Sequence, residues 1–219
     1  MTFQLIIFDC DGVLVDSEPI SNRIMAEVLI ENGLPATPEM CYEHFMGRTM
    51  SDCVSILASR FSHTVTADFV DIVRQRTLDA LRQEVAPVPG IAETLDRISV
   101  PMCVASSGQL VKMRTTLERT GLLHHFEDRL FSAAGMARGK PHPDIFLHAA
   151  EAIGAEPGAC AVIEDSPVGV SAGVAAGMTV FGYAALTDPQ KLSAAGGQVF
   201  TDMHDLPGLL EQGPLPRGS

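Results

Sequence analysis

Two aspartates one residue apart, Asp9 and Asp11, close a short apolar run in the stretch LIIFDCDGVLVDSE. Carboxylates that close together offer hard oxygen ligands to a divalent cation, or pair a nucleophile with a proton carrier. A lone D-x-D is as readily a turn or a helix cap. Three further polar clusters recur along the chain: Ser106, Ser107 and Gly108 in VASSG, Lys140 in GKPHPD, and Glu164 and Asp165 in VIEDSPVGV. Acidic side chains from Asp9, Asp11, Glu164 and Asp165 held near one another would repel unless a cation sat among them. A set of oxygen donors without His or Cys selects Mg²⁺.

Such a constellation needs elements that bring distant residues to one edge. Short apolar runs bounded by turn residues predict strands over 4–8, 102–105, 129–132, 159–163, 179–183 and 198–201. Near-continuous apolarity of that length is the mark of strands buried on both faces. Helical spacing over 111–120, 143–153 and 168–176 alternates with them, and Pro143 suits a first turn. Alternating strands and helices imply an α/β fold, a Rossmann-like doubly wound parallel sheet. In such a sheet ligands bind beyond the carboxyl ends of the strands, where the polar clusters fall.

One interval breaks the alternation. From 18 to 86 only amphipathic helical pattern appears, over 20–32, 51–59 and 67–84, and PVPG at 87–90 closes it. The expected division is an α/β core at 1–17 and 87–212 with an inserted helical cap domain at 18–86. The closing GPLPRGS, 213–219, resembles the remnant of an engineered protease site and is set aside from the fold.

Fifteen basic against twenty-seven acidic residues give a formal charge of −12, which repels polyanions and argues against a nucleic-acid partner. A small anionic substrate is compatible with it, because a local cation, a lysine and backbone N–H groups can overrule the average field. Cys10, Cys41, Cys53, Cys103 and Cys160 are widely spaced without a C-x-x-C pair and read as reduced core thiols. No apolar stretch reaches the roughly 18 residues needed to span a bilayer, and no basic leader precedes the first strand. The expectations are no membrane partner, a cytoplasmic location and a monomer.

The ordered set DCDGVLVDSE, VASSG, GKPHPD and VIEDSPVGV resembles the haloacid dehalogenase superfamily of phosphatases and phosphomutases, in the group with a helical cap after the first strand. The resemblance covers almost all of 3–210. It implies that Asp9 is the nucleophile, forming an aspartyl phosphate, and that Asp11 is the general acid and base. It implies that Ser106 bonds a phosphoryl oxygen and that Lys140 offsets charge between nucleophile and phosphate. Mg²⁺ would be held by Asp9, Asp165, the backbone carbonyl of Asp11, and Glu164 directly or through water. Ser107 and Gly108 fall to substrate contact. Asp11 favours oxygen esters over carbon–halogen or phosphonate substrates, since relatives acting on those typically lack this aspartate.

Other residues carry two readings. Alternation along an extended backbone turns Cys10 away from its flanking aspartates, toward packing. Ser17 reads as a hinge, while Glu18 is either hinge or substrate contact. Gly47 and Arg48 match a cap loop that reaches the active site in sugar-phosphate members, against the alternative of a solvated surface arginine. The implied activity is hydrolysis of a small phosphorylated metabolite, a sugar phosphate or sugar-acid phosphate such as 6-phosphogluconate. A β-phosphoglucomutase-like enzyme is the alternative; mutases of that type usually carry a histidine where this chain has Ser21. A binding protein that kept the fold would be expected to have lost a catalytic carboxylate or the lysine.

Overall fold

The computed structural model describes residues 3–45, 50–127 and 129–213. Gly47 and Arg48, expected at the substrate, lie outside the described residues, as does most of the closing segment.

The chain forms two compact units, one of Met1–Val15 with Pro87–Ser219 and one of Asp16–Ala86. The first unit contains a six-stranded parallel sheet: β1 (Leu5–Phe8), β2 (Met102–Ser106), β3 (Leu130–Ser132), β4 (Cys160–Glu164), β5 (Thr179–Tyr183) and β6 (Gln198–Phe200). The spatial order is β3-β2-β1-β4-β5-β6, so the chain runs outward from β1 in one direction and then returns to build the other half. Between β1 and β4 lies the topological switch point, where the connections diverge and leave a crevice beyond the carboxyl ends.

Every residue of β1, β2 and β4 is buried, because helices cover both faces. Leu5, Ile7, Cys103, Ala105, Cys160 and Val162 pack with Ile145, Phe146 and Ala149 of one helix and Val170 and Ala172 of another. On the alternate register Phe8 meets Phe126 edge to face, ring centroids 5.9 Å apart. Two strands depart from the expectation of two-sided burial. All three residues of β3 and the first two of β6 are only half-buried, since these strands form the sheet edges.

The second unit is helical: α1 (Glu18–Glu31), α2 (Pro38–Phe45), α3 (Met50–Arg60) and α4 (Phe69–Glu84). Its core is aliphatic and aromatic, drawing on Ile24, Val28, Leu29, Cys41, Phe45, Leu57, Phe69 and Val73. The chain leaves the sheet unit at Val15 and re-enters at Pro87, and a bridge between those two residues closes the entry. The remaining helices are α5 (Ile91–Arg97), α6 (Leu110–Arg119), α7 (Asp144–Ile153), α8 (Pro167–Ala175), α9 (Pro189–Ala194) and α10 (Leu206–Glu211). Pro143 caps α7 from just outside it, which suits a residue without an N–H to offer. No described helix is long and apolar enough to cross a membrane.

Candidate active site

The site begins where β1 stops. Asp9 donates its backbone N–H to the Ile163 carbonyl at 2.9 Å, continuing the ladder with β4 one residue past the strand. The chain then turns: Leu14 and Val15 both donate to the Cys10 carbonyl, and Gly12 takes φ +75°. That left-handed conformation favours glycine. Space demands it as well, because a Cβ on Gly12 would stand 2.1 Å from Asp165 Oδ2. The turn after Asp11 is therefore a cradle for the Asp165 carboxylate.

Lys140 is the centre of the arrangement. Its Nζ donates to Asp9 Oδ1 at 2.6 Å, to Glu164 Oε1 at 2.6 Å and to the Ala105 carbonyl at 3.3 Å. The side chain is only 5% exposed and lies 5.0 Å from the centroid of the Phe146 ring. Burial acts to neutralise this lysine, but Asp9 and Glu164 together outweigh it and hold the ammonium charged. Burial pushes the Asp9 carboxyl above the usual range, and the negative charges of Glu164 and Asp11 add to that push while Lys140 opposes it. A buried carboxylate under repulsion from two others is a place that favours a cation.

Glu164 ends β4 and is 1% exposed. Its Oε2 accepts from both the backbone N–H and the hydroxyl of Ser166 at 2.9 Å, while Oε1 takes Lys140. Ser166 Oγ in turn accepts from the Gly169 N–H at 3.1 Å and caps α8. The geometry makes Glu164 the holder of Lys140, tied to the start of a helix. Gly169 is what admits it, since a Cβ there would fall 1.8 Å from Glu164 Oε1. Gly169→Ala should therefore dislodge the carboxylate and cost about 1–3 kcal/mol of stability, the worth of buried polar groups left unpaired. Urea unfolding tests this, and a loss under about 0.5 kcal/mol would mean that Glu164 moves aside freely.

On the other side of β1, Ser106 ends β2 and is 1% exposed. Its Oγ accepts from the Gly108 N–H at 3.0 Å, and the Gly108 carbonyl accepts from Ser132 Oγ at 2.6 Å. Ser107 is exposed and Gly108 half-buried. A Cβ on Gly108 would lie 3.3 Å from Ser106 Oγ and 3.7 Å from Asp11 Oδ2, which puts Ser106, Gly108 and Asp11 around one small space. Cys10 is 1% exposed with its sulfur 3.9 Å from Thr116 Oγ1, and burial keeps it a thiol.

Sequence reasoning missed Lys112 on α6. Its Nζ lies 2.7 Å from Asp11 Oδ1. No local signal marked it, because its partner lies 101 residues away in the chain. Ser17 is buried and Glu18 half-buried, and both belong to the helical unit.

The residues suit Mg²⁺ through oxygen chemistry. Among the described residues no three His, Cys, Asp or Glu side chains cluster as a cage. The Asp165 carboxylate lies against Gly12, three residues past Asp9, and both carboxylates are hard oxygen donors of the kind that could hold Mg²⁺.

The family profile of haloacid dehalogenase-like hydrolases matches residues 6–183, and the chain belongs to that family. It is similar to 6-phosphogluconate phosphatase of Escherichia coli K12, with 32% identity over 209 residues, 94% of each chain. A haloacid dehalogenase-like protein of unknown function from Agrobacterium tumefaciens superposes with a TM-score of 0.86 at 34% identity, covering 96% of this chain and 98% of that one. A HAD family hydrolase from Deinococcus radiodurans, solved with bound phosphate and sodium, gives a TM-score of 0.80 at 31% identity over 96% of each chain.

Proposed function

We propose that the protein is a Mg²⁺-dependent phosphatase of a small phosphorylated sugar or sugar acid, with 6-phosphogluconate the first compound to test. The observation that carries the reading is Lys140, buried between Asp9 and Glu164 at 2.6 Å from each, with Asp11 two residues past the nucleophile. The likeness to a 6-phosphogluconate phosphatase over nearly the whole chain supports the substrate class.

In this reading Asp9 attacks phosphorus, the bond from phosphorus to the leaving oxygen breaks, and Asp11 gives that oxygen its proton. Water then attacks the aspartyl phosphate, Asp11 takes its proton, and phosphate departs with Asp9 restored. Lys140 offsets the charge that would hold an anionic ester away from a carboxylate, and Ser106 donates to a phosphoryl oxygen. Ser107 and Gly108 contact the substrate beside it. Mg²⁺ held by Asp9, Asp165 and the Asp11 carbonyl, with Glu164 alongside, would stabilise charge on the phosphoryl oxygens.

Phosphate release from a panel of phosphorylated sugars, sugar acids and short organic acids, with Mg²⁺ and with EDTA, tests this. Release concentrated on one or two compounds and lost at least about 100-fold in EDTA is expected. Conversion of β-glucose 1-phosphate to glucose 6-phosphate without net release would replace hydrolysis by a mutase. Metal-independent release would remove Mg²⁺ from the mechanism.

A further inference from the structure

We propose that Lys112 is the positioning residue of Asp11, fixing the proton-carrying carboxylate against the place where the leaving oxygen departs; the inference rests on the phosphatase reading above. The two lysines of the site differ in kind. Lys140 is enclosed by two carboxylates and a carbonyl, whereas Lys112 meets Asp11 Oδ1 at 2.7 Å with both side chains about a quarter exposed, 26% and 28%. A carboxylate at a turn has several rotamers open to it. A hydrogen bond donated by the helix-borne Lys112 to Oδ1 restricts it to one and leaves Oδ2 to carry the proton.

The helix that carries Lys112 is itself tied to the aspartates. Thr116 Oγ1 donates to the Lys112 carbonyl at 3.1 Å or to the Met113 carbonyl at 3.0 Å, and it faces the sulfur of Cys10, the residue between Asp9 and Asp11. The first turns of α6 thus hold their distance from the end of β1 through a buried contact behind the site. In front, Gly108 leaves room: a Cβ there would stand 3.7 Å from Asp11 Oδ2 and 3.8 Å from Lys112 Cδ. With Oδ1 anchored on Lys112, Oδ2 faces Gly108 and Ser106. Lys112 need not touch the substrate to act; it sets where the proton is given.

The step is selective for leaving groups. As the Asp9–phosphorus bond forms and the ester bond breaks, a phenolate needs a proton far more than a nitrophenolate does. Phenyl phosphate and 4-nitrophenyl phosphate share a shape and differ in that demand. Lys112→Met should lower kcat/KM about 30-fold for phenyl phosphate and no more than about 3-fold for the nitro ester, a fraction of what a general acid contributes. Lys112→Arg should restore most of the loss. Asp11→Asn should show the same selectivity with a larger amplitude, and adding Lys112→Met to it should cost little more, since the two act as one unit.

Equal slowing of both esters by Lys112→Met, or none, overturns the positioning role while Asp11→Asn still reports on the acid. Equal slowing of both esters by Asp11→Asn overturns the acid role itself, and with it the underlying reading. Should Lys112→Met fail to fold, Lys112→Gln carries the same comparison and the same criteria.

Discussion

Asp9→Asn is expected to reduce phosphate release to below about 10⁻⁴ of the parent rate, the scale of loss seen when a covalent nucleophile is removed. The substitution is close to isosteric, so Lys140 keeps Glu164 and the Ala105 carbonyl as partners. Asp9 sits in a position where burial and two neighbouring carboxylates disfavour its charge. Removing that charge should therefore leave the fold intact, which thermal unfolding of the variant would verify. Rapid acid quenching with radiolabelled substrate should trap label on the parent protein and none on the variant. Turnover comparable to the parent would sink the covalent mechanism, and label on the variant would place the nucleophile elsewhere.

Lys140→Met should damage both stability and activity. It strands Asp9 and Glu164, 10% and 1% exposed at the side chain, without the cation that both of them face. Breaking a buried ion pair by removing one partner costs about 3–5 kcal/mol, because the remaining charge stays desolvated. Activity should fall about 10³-fold as charge stabilisation at the phosphoryl group is lost. Adding Glu164→Gln should recover a large part of the stability and none of the activity, since it relieves repulsion without restoring a cation. Urea unfolding in EDTA, beside kcat/KM in Mg²⁺, separates the two effects. Full recovery of activity in the double variant would mean that Lys140 serves the fold alone.

Much of the sheet was legible because a buried parallel strand is a local signal. Each predicted strand lies within a residue or two of an observed one. The ends were less legible: Ser106 and Glu164 close β2 and β4 rather than follow them, since ladder hydrogen bonds continue through a polar residue as readily as an apolar one. The short helices α2, α5, α9 and α10, of 8, 7, 6 and 6 residues, escaped periodicity, which needs about three turns to declare itself.

By itself the sequence determined the alternation of strands and helices, the helical interval between them, and the four polar motifs, because each depends on residues close together in the chain. Tertiary structure alone decided that β3 and β6 are edges, that Lys140 bridges Asp9 and Glu164, and that Gly12 and Gly169 make room for two carboxylates. It also decided that Lys112 faces Asp11 across 101 residues of chain. Those facts follow from strand order and the close approach of backbones, which no local window of sequence contains.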